Sequence, residues 1–262
     1  MCNMTRRVLP LLIVGLVYGQ EKPARLTFDV FSIKPAKPGG GRGGGIKPKA
    51  AGQGYDAVGA TVRLMISLMY RMPIGHVTGG PGWLDTDLWD VEAKADKQYN
   101  LDDLHTMFQN LLADEFKLKF HKEIKEGPVY ALSVDKPGSK MKVNESPQDF
   151  EIPIQGGPGG ILNGKRVPME YLCYFLGQIL RNDNRPVIDK TGLTGYYDFT
   201  LTFMPELPPG FDKANLPPEL LDRLDRPNIF DALKLQLGLR LDAQKGPVTY
   251  YVIDSVEKPA AN

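Results

Sequence analysis

One strand-like sequence occurs twice in this chain of 262 residues, as GPVYALSVD at residues 127–135 and as GPVTYYVID at residues 246–254. Each copy closes a segment of the same order. A helical run comes first, followed by a glycine-containing turn, a strand, a second helix and the closing strands. A repeated order of this kind predicts the duplication of one small supersecondary unit.

The spacing of the apolar residues predicts the elements of both copies. Helices are predicted at residues 61–70, 101–112, 169–180 and 230–237. Strands are predicted at residues 27–33, 88–93, 116–120, 127–137, 197–203, 239–241 and 246–254. A charged turn is predicted between residues 120 and 127. The pattern indicates an α+β fold of two related lobes, each a small, mostly antiparallel sheet covered by helices.

Three residues are suited to the ends of the predicted helices. Asn100 and Asn228 precede a helix in each copy, where a side-chain oxygen can accept a free backbone N–H group. Gly238 follows the last helix, where a left-handed C-cap is expected. These residues fix the predicted helix boundaries.

The first residues have the character of a secretory signal peptide. Arg6 and Arg7 precede an apolar stretch at residues 8–17, and the small residue Gly19 follows. This stretch is shorter than the roughly 20 residues that a membrane-spanning helix requires, and no later stretch approaches that length. We therefore predict removal of residues 1–19, export to the periplasm or the exterior, and no transmembrane segment afterwards. An uncleaved membrane anchor is the alternative.

The repeat predicts two domains after the signal peptide. The first covers residues 20–145 and contains a glycine-rich loop at residues 38–54. The second covers residues 146–262 and contains a proline-rich insertion at residues 205–227, which has no counterpart in the first copy. Both segments have the composition of surface loops.

Charge and cysteine content exclude some classes of function. Removal of Arg6 and Arg7 would leave 30 of the 32 basic residues against 31 acidic ones, and a nearly neutral protein gives no indication of nucleic-acid binding. Cys173 would be the single remaining cysteine. Its apolar neighbours predict a buried thiol rather than a nucleophile.

The chain shows no catalytic or metal-binding motif. The histidines His76, His105 and His121 are far apart in the sequence, and neither a zinc-ligand spacing nor a Gly-x-Ser-x-Gly elbow occurs. The aspartates near strand ends cannot be paired as acid and base without geometry. We therefore predict no catalytic residue, no metal and no cofactor.

Two tryptophans next to a glycine turn are the candidate binding residues. Trp is enriched at binding hot spots, and the turn of the second copy occupies the equivalent position. The predicted site, two paired recognition edges, consists of Gly79, Gly80, Trp83, Trp89, Thr191, Gly192 and Gly195. The alternative is that both tryptophans fill the core beneath a sheet.

Several segments resemble a known family of soil-associated proteins of unknown function. The resemblance is carried by residues 28–35, 79–84, 111–118, 128–132, 185–195, 236–239 and 252–259. It implies neither an activity nor catalytic residues. Some members resemble the extracytoplasmic part of membrane proteins related to the antirepressor metallopeptidases of antibiotic-resistance sensors, but this chain lacks their membrane helices and zinc motif, so no peptidase role is implied. The order of elements also resembles the short N-terminal periplasmic modules of secretins and TonB-dependent receptors, whose role is protein contact.

Together these features predict an exported binding or sensing module at the cell envelope. Its partner is expected to be an envelope protein or a small ligand. The alternative is a hydrolase that acts on cell-wall or extracellular material in the cleft between the two lobes, since ligand clefts are frequent at domain interfaces.

Overall fold

The computed structural model describes residues 25–37, 45–136, 138–147, 150, 152–157, 161–204 and 225–260. The predicted signal peptide lies outside the described residues. The same holds for residues 38–44 of the predicted glycine-rich loop and for residues 205–224 of the predicted proline-rich insertion. We call residues 25–135 the first half and residues 142–255 the second half.

Each half contributes six strands to the described part of the chain. In the first half these are β1 (Val30–Pro35), β2 (Ile46–Pro48), β3 (Gly54–Ala60), β4 (Val77–Gly79), β5 (Trp89–Lys94) and β6 (Lys119–Val134). In the second half they are β7 (Lys142–Val143), β8 (Ile154–Gly157), β9 (Ile161–Val167), β10 (Val187–Asp189), β11 (Tyr197–Thr202) and β12 (Leu239–Ser255). The helices are α1 (Val62–Met69), α2 (Trp83–Thr86), α3 (Leu101–Glu115), α4 (Met169–Ile179) and α5 (Ile229–Ala232), which continues as a π-helical segment at Leu233–Leu237.

The strands form three four-stranded sheets, and the predicted α+β class is confirmed. One outer sheet has the order β1-β5-β3-β2 and the other has the order β7-β11-β9-β8, with all neighbours antiparallel. Counted along the chain within each half, both orders are first, fifth, third and second strand. The shared order supports the predicted duplication, which itself stays a prediction.

The central sheet joins the two halves. Its order is β10-β6-β12-β4, and its long strands β6 and β12 are antiparallel with Gly127 opposite Gly246. β4 pairs in parallel with β12, and β10 pairs in parallel with β6. Each half therefore supplies a short edge strand to the long strand of the other half.

The predicted charged turn between residues 120 and 127 is wrong. β6 continues through this segment because β12 offers an equally long partner, with register from Leu239 opposite Val134 to Ser255 opposite Lys119. The segment at residues 121–126 is mostly exposed and carries its charged side chains at the surface, whereas residues 129–132 of the same strand are buried. A run of charges is typical of both a turn and a solvated strand, and the pairing with a distant strand decides between them.

The predicted helix caps are confirmed. The Oδ1 atom of Asn100 accepts the N–H of Asp103 at 2.8 Å, and that of Asn228 accepts the N–H of Asp231 at 2.9 Å. Gly238 ends the α5 segment with a left-handed φ of 66°. A Cβ atom at Gly238 would lie 2.1 Å from the carbonyl oxygen of Gly138, so this position requires glycine for space as well as for conformation.

The helices cover the sheets through apolar faces. Leu104, Phe108 and Leu112 of α3 are fully buried, as are Leu172 and Leu176 of α4. Burial of such side chains is the main favourable contribution to folding. Within the described ranges, no helix is both long enough and apolar enough to cross a membrane.

Candidate functional site

A cleft of about 260 Å³ lies where the two halves meet. The end of α1 and the first turn of α3 form one wall, and β9 with the first turn of α4 forms the other. Its charged and aromatic lining consists of Arg71, Asp102, Lys165, Arg166, Tyr171 and Tyr196. We call this cavity the arginine cleft.

Arg71 is held in place by contacts with both halves. It follows α1 with a left-handed φ of 51°, a conformation that is uncommon for residues other than glycine. Its guanidinium group forms an ion pair with Asp102 of α3 and lies 5.3 Å from the ring centroid of Tyr171 in α4. Its Nε atom is buried without a hydrogen-bond partner in the described structure. Arg71 thus connects α1, α3 and α4 at the cleft.

Arg166 approaches the cleft from the opposite wall. It also has a left-handed backbone, with φ of 53°, and its N–H donates to the carboxylate of Asp198 at 2.8 Å. Its guanidinium carbon lies 3.8 Å from the ring centroid of Tyr196. This short separation is typical of a cation–π contact.

The first half contains the same backbone arrangement with a different residue. Gly59 in β3 has φ of 59°, and its N–H donates to the Asp90 carboxylate at 2.8 Å. In each half the pairing register is irregular near this position. In the first half β3 shifts against β5 between Ala57 and Ala60. In the second half β11 shifts against β9 between Tyr197 and Phe199. Glycine can therefore adopt this backbone conformation, and the second half has Arg166 at the equivalent position.

The electrostatics of the arginine cleft favour an anion. Among the residues that the structure describes, Arg71, Lys165 and Arg166 line it together with the carboxylate of Asp102, which pairs with Arg71. Behind the lining, the hydrogen bond from the Arg166 backbone and a second one from the Asn144 side chain lower the pKa of Asp198. Asp198 is therefore ionised at neutral pH and fixes the Arg166 backbone.

A second cleft adjoins the first and shares two of its residues. It has a volume of about 510 Å³ and is lined by Arg71, Asp102, His105, Lys122, Glu170 and Tyr251, among others. We call it the histidine cleft. Because Arg71 and Asp102 line both cavities, their ion pair forms part of the wall between them.

His105 is a buried, neutral histidine at the histidine cleft. Its Nε2 atom lies 3.0 Å from the hydroxyl of Tyr55, and its Nδ1 atom has no hydrogen-bond partner among the described residues. Burial, followed by the nearby charge of Arg71, lowers the pKa of His105 to about 4. Burial raises the pKa of Tyr55. Both groups are therefore uncharged at neutral pH.

We expect Tyr55→Phe to destabilise the protein by about 1–2 kcal/mol, because it removes the hydrogen bond between Tyr55 and the buried His105 ring. The ring packing against Phe108 would remain. Urea unfolding at neutral pH measures the change. An unchanged free energy of unfolding would show that the Tyr55–His105 contact contributes nothing to stability.

Cys173 is buried, as predicted, and is a free thiol. Burial raises its pKa to about 12. The thiolate form, which is the nucleophile, is therefore scarce at neutral pH.

The sequence-predicted site residues lie outside both clefts. Gly79, Gly80 and Trp83 lie at the end of β4 and in α2, and Thr191, Gly192 and Gly195 follow β10. β4 and β10 are opposite edges of the central sheet, separated by β6 and β12, so the two turns do not form one site. Their role as recognition edges stays a prediction.

The two tryptophans occupy different environments. Trp89 is 6% exposed and packs edge-to-face on Phe116, which is the core position named as the alternative. Trp83 is half-buried, with the Lys258 ammonium 5.6 Å from its ring centroid. Trp83 is therefore the tryptophan that a partner could reach.

Sequence reasoning did not identify Arg71, Arg166 and the tyrosines beside them. One signal was available in the repeat. If the two copies are aligned on the residues before their first helices, Gly59 of the first copy corresponds to Arg166 of the second. An arginine where the other copy has glycine marks a position of unusual backbone conformation.

No group of three or more His, Cys, Asp and Glu side chains within the described ranges is arranged to hold a metal ion. The expected lack of a metal, a cofactor and a catalytic residue stays a prediction.

A family described as "Protein of unknown function (DUF3738)" matches residues 63–256. The match begins in α1 and ends just after β12, and it includes every residue that lines the two clefts. Neither a curated protein nor a solved structure matches the chain.

Proposed function

The chain belongs to the DUF3738 family of proteins of unknown function, and from this premise we propose that it is an exported binding or sensing module at the cell envelope. Its ligand occupies the arginine cleft. The proposed export rests on the basic and apolar pattern of the first residues, and the proposed site rests on the cleft between the halves.

The observation that carries this proposal is that one cavity is built from both halves of the chain. Arg71 and Asp102 come from the first half, and Arg166 and Tyr171 come from the second. A ligand held there contacts both halves at once and changes the free energy of their contact. A ligand that binds one arrangement of the two halves more tightly than another shifts the protein toward that arrangement, and such a shift is the basis of sensing.

The ionisable groups near the cleft support binding rather than acid–base or nucleophilic chemistry. Burial lowers the pKa of His105 to about 4 and raises the pKa of Cys173 to about 12. A general base or acid works best when its pKa is near the working pH. Nothing among the described residues favours the hydrolase considered above.

Native mass spectrometry of the protein recovered from the envelope fraction tests this proposal. We expect the chain to begin at Gln20 and to carry an added mass that is released on denaturation. The variant Ser146→Trp places a large side chain at an exposed position of the cleft lining and should abolish the added mass. The matched control, Ser255→Trp, changes an exposed serine in β12 and should retain it.

Two results would contradict the proposal. Recovery of the chain with residues 1–19 from the cytoplasm would contradict export. An added mass that Ser146→Trp and Ser255→Trp both retain would contradict the cleft as the binding site.

A further inference from the structure

Arg166 occupies a position where the fold itself favours glycine. Left-handed φ values are unfavourable for a residue with a Cβ atom, and Gly59 satisfies the same geometry in the first half without that strain. Backbone strain that the fold does not require is characteristic of functional sites. At this position the second half places a guanidinium group at the cleft, whereas the first half has no side chain.

The Arg166 guanidinium group is held against an aromatic ring. Its face contacts the Tyr196 ring, which leaves the N–H groups in the guanidinium plane available. None of the described carboxylates forms an ion pair with the Arg166 side chain, whereas Arg71 across the cleft pairs with Asp102. The Asp198 carboxylate accepts the Arg166 backbone N–H.

The remaining lining limits the kind of anion that fits. Leu101, Pro147, Pro153 and Pro168 provide apolar surface beside the cationic groups. The N-cap of α4 is Pro168, which offers no side-chain cap, and the first turn of α4 also carries Glu170. A fully hydrated inorganic ion would leave the apolar surface without a partner.

We propose that the arginine cleft binds a small organic oxyanion, with its carboxylate or phosphate group held between Arg166 and Arg71 and its apolar body against the prolines. This inference rests on the proposed function, because it names the ligand class of the same cleft. A guanidinium group can donate two parallel N–H···O hydrogen bonds to either type of oxyanion.

Isothermal titration calorimetry of the full chain with benzoate, phenyl phosphate and benzyl alcohol tests the proposal. The three probes share an aromatic body and differ in their polar group. We expect at least one of the anions to bind, benzyl alcohol to bind at least about tenfold more weakly, and affinity for the anion to fall with salt. Comparison of benzoate with phenyl phosphate tells which oxyanion the cleft prefers.

Arg166→Gly is the decisive variant, because it removes the guanidinium group and relieves the backbone strain at once. We expect anion binding at least about tenfold weaker, with a melting temperature within about 4 °C of the wild-type value or above it. Arg71→Gln should weaken binding in the same direction. Arg240→Gln removes an exposed charge in β12 that pairs with Asp242, and should leave binding unchanged.

The inference is overturned if neither anion binds, if benzyl alcohol binds as tightly as the anions, or if Arg166→Gly binds as the wild type does. These outcomes leave the proposed function separately testable. A neutral ligand that is retained in native mass spectrometry and lost in Ser146→Trp would support the proposed function and exclude the oxyanion.

Discussion

When the chain is divided after Gly138, between β6 and β7, we expect neither fragment to fold as a monomer. The first fragment would contain β4 without β12, and the second would contain β10 without β6. The long β6–β12 ladder would be absent from both. Unpaired backbone groups and exposed apolar side chains would remain, and each is unfavourable in a compact state.

The apolar face of the central sheet makes this loss large. Leu132 of β6 and Leu239 of β12 are completely buried, and Tyr251 is 8% exposed. Without the partner strand these side chains would lose part of their cover. Since a domain of this size is stable by only about 5–15 kcal/mol, loss of one of its three sheets is expected to abolish cooperative folding.

Circular dichroism and size-exclusion chromatography with light scattering measure this expectation. Residues 20–138 and 139–262 should each lack a cooperative unfolding transition as monomers, and their equimolar mixture should regain one. The mixture serves as the control, because it contains the complete sequence without the connection. If either fragment were monomeric and unfolded cooperatively by itself, the pairing of β4 and β10 with the long strand of the other half would not be the source of stability.

Local elements were predictable because their signals lie within a few residues. The apolar spacing of α3 and α4 and the caps Asn100, Asn228 and Gly238 are local features, and the structure contains all of them. The burial of Cys173 followed equally from its apolar neighbours. Such features depend on hydrogen bonds and packing that the local sequence specifies.

The central sheet was not predictable by the same reasoning. β6 and β12 are far apart in the chain, and each appeared as two short strands interrupted by charges. Only their pairing makes them continuous, and only the fold determines that β4 pairs with the other half. Strand pairing at long range depends on the tertiary arrangement more than on local propensity.

The candidate site depends on this long-range arrangement. Arg71 and Arg166 lie in different copies of the repeat and are far apart in the chain. In the sequence, both lie at ordinary polar positions. Their place at one cleft and their two aromatic contacts depend on the fold. The correspondence of Gly59 with Arg166 is the one sequence signal, and it concerns only the backbone of Arg166. The predicted glycine turns, in contrast, were local signals and lie at the sheet edges.

We expect the stability of the protein to fall by about 3 kcal/mol between pH 6.5 and pH 4 because of His105 alone. The unfolded chain has an ordinary histidine pKa of 6.5, whereas burial lowers the pKa of His105 in the folded state to about 4. In this pH range the unfolded state binds a proton that the folded state does not bind. Stability therefore decreases as the pH falls, by about 1.4 kcal/mol for each unit of pKa difference.

The variant His105→Gln isolates this contribution, because glutamine retains hydrogen-bonding groups and does not titrate. Its free energy of unfolding in urea should show a pH slope between 6.5 and 4 that is flatter than the wild-type slope by the amount expected for His105. Burial also lowers the pKa of His76, and hydrogen bonding to Asp254 raises that of the exposed His121, but both groups are present in both proteins. The comparison of slopes cancels their contributions and any constant loss of stability in the variant. Coinciding slopes would mean that folded His105 accepts a proton as readily as the unfolded chain does, and its burial beside Arg71 would then not hold the ring neutral.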